Sequence, residues 1–269
     1  MSFVEDALKF HAEHNGMLAV ASKVPLNNRE DLALAYTPGV AEPCKAIKEN
    51  KELSFEYTCR GNTVAIVSDG TRVLGLGDIG PEAAMPVMEG KAVLFKTFGD
   101  VDAIPICIDT KDPEEIIETV RRLQPTFAGI NLEDFSSPKC YEIEDRLREI
   151  CDIPVFHDDQ HGTAIACLSA VMGALRYVKK DIKDVKVVVN GCGAAGSAIG
   201  RLFVSMGFPN VIMVERVGAL YKGIDAKLDK IQRYLSEVTN PNMEKGTLAE
   251  VAKGADILVG VSGPNLFTK

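Results

Sequence analysis

The spacing of apolar and polar positions in the N-terminal part of the chain predicts helices, loops and one hairpin. A helical pattern runs to about Glu13, and after a polar loop a second helical pattern extends over Pro38–Asn50. In NTVAIVSDGTRVLGLGD, two apolar runs surround Asp69 and Gly70, and this arrangement predicts a hairpin with a tight turn. The next segment, PEAAMPVMEGKAVLFKTFG, predicts a helix with Pro81 in its first turn.

A regular alternation of strands and helices begins at Val101. The predicted order is strand DAIPICI, helix DPEEIIETVRRL, strand FAGINLED, helix SPKCYEIEDRLREI, strand IPVFHDD and a long helix from about His161 to Lys179. This order is typical of parallel strands whose sheet is covered by helices. In such sheets ligands bind outside the carboxyl ends of the strands.

A second domain is predicted to begin after the charged, turn-rich DIKD at residues 181–184. It contains strand KVVVN, the loop GCGAAG, a helix to Met206, strand NVIMVE, a helical stretch, and strand DILVGV at 256–261. We therefore predict an α/β fold in two parts. Residues 1–180 form a domain with a mainly parallel sheet, and residues 181–269 form an incomplete Rossmann-type dinucleotide-binding domain.

The composition is that of a folded globular protein and narrows the classes of partner. The 269 residues are 46% hydrophobic and 25% charged, with a formal net charge of −8. Because this charge repels phosphate backbones and anionic membrane surfaces, neither nucleic acid nor membrane is an expected partner. The opening MSFVEDALKFHAEHNG lacks the pattern of a signal peptide, and no apolar run reaches membrane-spanning length.

The seven cysteines are an odd number, widely spaced, and form no CxxC pair. This pattern indicates a reducing compartment, and we expect the protein in the cytoplasm. Each cysteine is expected to be a small core residue rather than a ligand or a nucleophile.

The glycine motif VVVNGCGAAGSAIG lies between a predicted strand and a predicted helix. Gly191, Gly193 and Gly196 form a GxGxxG pattern, with Ala194 and Ala195 between the last two glycines. Glycines at these places allow a tight turn and the close approach of a pyrophosphate, to which the helix N-terminus offers free N–H groups. We expect a dinucleotide to bind here.

The choice of dinucleotide depends on the end of the next strand. Glu215 stands about 20 residues beyond the motif, where an acid accepts hydrogen bonds from the adenosine ribose. Its charge favours NAD over NADP, because a carboxylate repels a 2′-phosphate. Arg216 leaves NADP open, since an adjacent cation can accommodate that phosphate.

Acidic residues follow two of the predicted strands of the first domain. Glu133 and Asp134 come after AGINL, and Asp158 and Asp159 come after IPVFH. Because the carboxyl ends of parallel strands meet at one edge, these carboxylates are expected to converge, which suits Mg²⁺ or Mn²⁺. The spacing leaves helix capping equally open, with Asp134 capping the helix that follows it and Asp158 or Asp159 capping the helix near His161.

Five further polar residues carry no functional signal by their spacing alone. Tyr36, Arg72 and Lys91 are typical of surface or packing positions. For His157 and His161, which flank the acids, a hydrogen-bonded structural role is favoured over metal ligation.

Six motifs occur in the order in which malic enzymes have them. They are YTPGVA from Tyr36, GLGDIG from Gly75, EGKAVLFK around Lys91, NLEDF at 131–135, HDDQHGTA at 157–164 and the late GxGxxG. Along essentially its whole length the sequence resembles the shorter bacterial and archaeal branch of the malic enzyme family.

This resemblance implies a metal-dependent oxidoreductase. Such an enzyme decarboxylates malate to pyruvate with reduction of NAD or NADP, and oxaloacetate is a related substrate. The resemblance makes Glu133, Asp134 and Asp159 the ligands of Mg²⁺ or Mn²⁺. It also implies a homodimer or a higher homo-oligomer.

The resemblance further implies the catalytic residues. Lys91 and Tyr36 become the general base and general acid, with Asp158 beside them, and Arg72 binds a malate carboxylate. Malic enzymes continue beyond the position of Lys269, so the expected dehydrogenase is truncated at its C-terminus. Two alternatives therefore stay open: a malolactic conversion of malate to lactate, and a binding module whose catalysis is impaired by the missing part.

Overall fold

The computed structural model describes residues 2–73, 75–263 and 266, and the chain packs into two compact units. The first unit comprises residues 1–135 and 143–156, and the second comprises residues 136–142 and 157–269. The truncation predicted at Lys269 concerns a position outside the described residues. The predicted domain boundary near residue 180 stays a prediction.

Helices and strands follow the predicted order closely. The α-helices are α1 Phe3–His14, α2 Arg29–Ala35, α3 Ala41–Glu49, α4 Ser54–Tyr57, α5 Pro81–Gly99, α6 Pro113–Leu123, α7 Lys139–Ile150, α8 Asp158–Val178, α9 Ala194–Ser205, α10 Lys230–Val238 and α11 Leu248–Val251. The strands are β1 Thr63–Ser68, β2 Asp102–Cys107, β3 Gly129–Leu132, β4 Val155–His157, β5 Lys186–Asn190, β6 Asn210–Glu215, β7 Gly218–Ala219 and β8 Ile257–Gly260. Short 3-10 turns cover Lys51–Leu53, Cys59–Asn62, Gln124–Thr126 and Ile182–Asp184.

The first sheet has the strand order β2-β1-β3-β4, and β1 pairs in parallel with β2 and with β3. Helix α5 covers β1 and β2, where Ile66, Met88, Ala92 and Ala103 form a buried cluster. The buried residues of α5, Ala84, Met88 and Ala92, are four positions apart, as on one face of an amphipathic helix. The parallel order directs the carboxyl ends of β1, β2 and β3 toward one edge of the sheet.

The hairpin predicted around Asp69 and Gly70 is wrong. Strand β1 already has β2 on one side and β3 on the other, so no edge of β1 is free for an antiparallel partner. After Ser68 the chain instead turns away through a glycine-rich loop whose described residues include one antiparallel bridge, between Val73 and Gly77. Local sequence cannot reveal this outcome, because the competing partners of β1 are distant in the chain.

The second sheet has the order β7-β6-β5-β8, with β5 parallel to β6 and to β8 and a short antiparallel pairing of β6 with β7. Its core includes Val187 and Val189 of β5, Phe203 of α9, and Ala164 and Leu175 of α8. Helix α8 therefore belongs to this core by packing. The predicted α/β class with mainly parallel sheets is confirmed.

The expectation that every cysteine is a core residue is wrong for two of the seven. Cys140 and Cys192 are buried, whereas Cys44 and Cys59 are exposed. Both exposed cysteines lie in the range 2–62, in which no residue is buried. Among the helices of the described part of the chain, none combines the length and the apolar character that crossing a bilayer requires.

Candidate active site

Two buried carboxylates of the first unit lie directly after β3. Glu133 is 6% and Asp134 is 4% exposed, and a carboxylate oxygen of one lies within 4.8 Å of one of the other. Successive side chains of a strand point to opposite faces, so a change of backbone direction is needed for this approach. Asp134 has a φ of 59°, in the left-handed region that Asp tolerates better than most residues. Two carboxylates buried in one turn indicate that neighbouring positive charge compensates them, because an unpaired buried charge is costly.

The carboxylate of Glu133 is held from two sides. Lys91 of α5 places its Nζ 3.1 Å from Oε1, and the Nδ2 of Asn131 donates a hydrogen bond of 2.9 Å to Oε2. The Lys91 side chain is 21% exposed. An ion pair this far from water is costly to break, because removing one partner leaves the other charge uncompensated. The structure therefore brings the predicted base Lys91 and the predicted ligand Glu133 together.

A loop that follows β1 is tied to the same acids. The backbone N–H of Arg72 donates to the carbonyl oxygen of Asp134 over 2.9 Å, while the Arg72 side chain is exposed. Upstream, the buried carboxylate of Asp69 accepts hydrogen bonds from the N–H of Thr71, at 3.1 Å, and from its Oγ1, at 2.7 Å. This Asx-type turn shapes the approach of the chain to Arg72. The spacing of residues in the sequence does not indicate a role for Asp69 or Asn131 near these acids. The signal available in the sequence was a polar residue inside an apolar run.

Tyr36 stands apart from the buried part of the first unit. It follows the last residue of α2, and the residue is 68% exposed. Its role as a general acid stays a prediction.

In the second unit, Asp158 and Asp159 occupy the first turn of α8. The alternative that Asp158 or Asp159 caps this helix is wrong, because the helix begins at Asp158 and its N-cap position is His157. Likewise, α7 begins at Lys139, too far along the chain for Asp134 to be its cap. Carboxylates in a first helical turn are favoured by the helix dipole. The fully buried His157 places its Nε2 3.6 Å from Oδ2 of Asp159, and the structural role expected of this histidine stays a prediction.

The three motif glycines of the second unit differ in what surrounds them. Gly191 has a φ of +113°, which favours glycine, and a Cβ on Gly196 would lie 1.8 Å from the carbonyl oxygen of Gly191. A Cβ on Gly193 would meet nothing within 4 Å. Gly193 is the N-cap of α9, so Ala194 and Ala195 are the first residues of the helix. The loop is tight at two glycines and open at the third, as close approach of a phosphate group requires.

Glu215 at the end of β6 is bonded back to this loop. Its Oε2 accepts from the N–H of Cys192 at 3.1 Å, and its Oε1 accepts from the N–H of Arg216 at 3.0 Å. Burial is the largest cause that raises the pKa of the Cys192 thiol, and the negative charges of Glu215 and Asp229 raise it further. The thiol therefore stays protonated at neutral pH, a form that disfavours metal ligation and nucleophilic attack. The hydrogen bond between Glu215 and the N–H of Cys192 could not be predicted from the spacing of residues in the sequence.

Two family models match the chain. The model described as the malic enzyme N-terminal domain matches residues 15–148, and the model described as the malic enzyme NAD binding domain matches residues 160–269.

Curated relatives and a solved structure agree with these matches. An NAD-dependent malic enzyme of Geobacillus stearothermophilus is 53% identical over 94% of this chain and 52% of the relative. A bifunctional malic/malolactic enzyme of Bacillus subtilis is 49% identical over 100% of this chain and 66% of the relative. The crystal structure of an NAD-dependent malic enzyme from Thermotoga maritima superposes with a TM-score of 0.94 and 47% identity, over 98% of this chain and 70% of that one. The chain thus spans between half and two thirds of the two curated relatives.

Proposed function

This chain belongs to the malic enzyme family, and on that premise we propose that the protein carries out metal-dependent oxidative decarboxylation of malate. The products are pyruvate, carbon dioxide and reduced NAD or NADP. The observation that carries the proposal is the buried pair of carboxylates after β3 with Lys91 against one of them. This combination provides oxygen ligands and an amine at the edge of the sheet where ligands bind.

The donor chemistry fits a hard divalent cation. Glu133 and Asp134 offer carboxylate oxygens, which are the ligand atoms that Mg²⁺ and Mn²⁺ prefer. We assign Glu133 and Asp134 of the first unit and Asp159 of the second as ligands of Mg²⁺ or Mn²⁺. When bound, the cation supplies positive charge that stabilises the negative charge developing on the C2 oxygen of the substrate.

The residues of the chain account for the proton movements. Arg72 would bind a malate carboxylate, and Lys91, once deprotonated, would accept the proton of the C2 hydroxyl. A bound nicotinamide would supply the hydride acceptor for C2. The bond between C3 and its carboxylate then breaks, carbon dioxide departs, and the electron pair remains as the enolate of pyruvate. Tyr36 donates a proton to C3, and we assign Asp158 to the same acid–base group.

The glycine loop of the second unit positions the dinucleotide. The open space at Gly193 admits the pyrophosphate, and the N-terminus of α9 at Ala194 and Ala195 offers its free N–H groups. Glu215 accepts hydrogen bonds from the ribose hydroxyls, and Gly191 and Gly196 keep the turn tight.

The decisive test is product analysis of the purified protein with malate, NAD and Mn²⁺. We expect one pyruvate for each NADH, with no activity after chelation of the metal. A second candidate comes from the Bacillus subtilis relative, which is named a bifunctional malic/malolactic enzyme. Lactate formation without net NADH would assign the malolactic reaction instead, and the absence of both products would refute enzymatic activity on malate.

We further propose a homo-oligomer, at least a dimer, in the cytoplasm. The exposed apolar side chains of α1, with Phe3 at 88% and Leu8 at 70% exposed, support self-association. All seven cysteines are free, which agrees with a reducing compartment.

Replacing Asp159 by Asn is expected to weaken Mn²⁺ binding and oxaloacetate decarboxylation by at least about tenfold, because a ligand charge is lost. Titration calorimetry with Mn²⁺ measures the affinity. Asp225→Asn is the matched control, since Asp225 is an exposed residue of the same unit. An Mn²⁺ affinity unchanged by Asp159→Asn would remove Asp159 from the ligand set.

Replacing Glu215 by Ser is expected to raise the affinity for NADP relative to NAD, because repulsion of the 2′-phosphate is removed. The ratio of the two dissociation constants measures this effect, and Glu237→Ser is the control, because Glu237 pairs with Lys222 on the surface. If the unaltered protein already binds NADP more tightly than NAD, the inference from Glu215 is wrong.

A further inference from the structure

Asn131 is a polar side chain within a strand that is otherwise apolar. Strand β3 is buried at all four positions, and Asn131 itself is 4% exposed. It stands in register with Ile66 of the central strand β1. An amide at such a position costs stability unless its hydrogen bonds are made inside the protein, so an apolar residue is the default there.

The hydrogen bond that Asn131 makes is directed at Glu133. The two residues are separated by one position along an extended segment, which places their side chains on the same face of the sheet. The Nδ2 of Asn131 donates to Oε2 of Glu133 over 2.9 Å, while Lys91 contacts Oε1 at 3.1 Å. Each carboxylate oxygen therefore has a donor of a different kind.

We propose that Asn131 is a positioning residue, which fixes the carboxylate of Glu133 for cation binding. The inference rests on the proposed function, in which Glu133 is a metal ligand and Lys91 is the base. Lys91 carries a charge of the same sign as a cation and competes with it for Glu133. The neutral amide of Asn131 does not compete for that charge, and its hydrogen bond holds Oε2 of Glu133 in one orientation.

The test measures Mn²⁺ affinity without malate or nucleotide, by titration calorimetry on the whole protein. Asn131→Leu conserves side-chain size and removes the donor. We expect the Mn²⁺ dissociation constant to rise by about tenfold, because a residue that orients a metal ligand is lost. The melting temperature of the metal-free protein should be retained. The matched control is Asn62→Leu, at the position just before β1. It also removes an amide that donates to a carboxylate, since Nδ2 of Asn62 lies 3.2 Å from Oδ2 of Asp102.

A second measurement separates action through Glu133 from a general loosening of the sheet. In a Glu133→Gln background, Asn131→Leu is expected to leave the remaining Mn²⁺ affinity unchanged, because the carboxylate that it orients is gone. A further loss of similar size in that background would overturn the proposal.

The outcomes distinguish this inference from the proposed function. If the unaltered protein does not bind Mn²⁺, the metal-dependent function fails. If it binds Mn²⁺ and Asn131→Leu binds equally well, only the role of Asn131 fails. Asn131→Val, with a β-branched side chain suited to a strand, replaces the first variant if Leu does not fit. Failure of both variants to fold would make Asn131 a structural core residue and would also overturn the proposal.

Discussion

Replacing Lys91 by Arg is expected to lower kcat for malate oxidation by about a thousandfold, within the range that general acid–base catalysis contributes. Arginine keeps a positive charge that can pair with Glu133, which Lys91 contacts at 3.1 Å. Its guanidinium does not release a proton at neutral pH, so it cannot act as the base. Initial rates of malate-dependent NADH formation at saturating substrate measure the effect.

The matched control for this substitution lies on the same helix. Lys96 of α5 forms ion pairs with Asp100 at 2.6 Å and Asp102 at 3.1 Å, and its side chain is 54% exposed. Lys96→Arg should retain the wild-type kcat, since such exposed pairs contribute little. If Lys91→Arg also retains the wild-type kcat while its pairing with Glu133 persists, Lys91 is a structural partner of Glu133 and the base lies elsewhere.

Replacing Gly193 by Ala is expected to weaken NAD binding by roughly tenfold or more and to leave stability unchanged. Its backbone, at φ −75° and ψ −166°, is open to any residue, and the added Cβ meets no protein atom within 4 Å. That open space is where we propose that the pyrophosphate lies, so the methyl group would displace the ligand at a cost of about 1–3 kcal/mol. Calorimetric titration with NAD measures this loss.

Gly196→Ala is the contrasting substitution in the same loop. Its Cβ would lie 1.8 Å from the carbonyl oxygen of Gly191, and neither backbone can move away cheaply. We expect the free energy of unfolding to fall by at least about 2 kcal/mol, as measured by urea denaturation. Equal losses of stability for Gly193→Ala and Gly196→Ala would contradict the assignment of Gly193 to the ligand. Undiminished NAD affinity in a folded Gly193→Ala protein would contradict it as well.

Much of the fold follows from local patterns. The apolar runs of β1, β3, β5 and β6 are visible in the sequence because these strands are buried along nearly their whole length. The helix α6 is visible because burial repeats at about 3.6 residues. Short runs such as that of β3 also alternate with helices, which predicts parallel pairing. The glycine motif is equally local, since the tight turn and the helix start that it forms involve adjacent residues.

The site was predictable only in part. Glu133 and Asp134 were candidate ligands because acids at the carboxyl end of a parallel strand are a local signal, and their ligand role stays a prediction. The order of six motifs indicated the family. Lys91, in contrast, has an unremarkable spacing, and its role was implied by resemblance alone. Its contact with Glu133 forms because α5 packs over β1 and β2, which is a property of the folded sheet.

The α/β class, the order of elements, the glycine loop and the acids after β3 could be predicted from the sequence, because each depends on residues close together in the chain. The tertiary structure decided what β1 pairs with, and so removed the hairpin predicted at Asp69 and Gly70. It also placed Asn131 against Glu133 and bonded Glu215 to the N–H of Cys192. The physical reason is that hydrogen bonds between buried groups are chosen by packing and by exclusion of water, and neither is encoded in the spacing of residues along the chain.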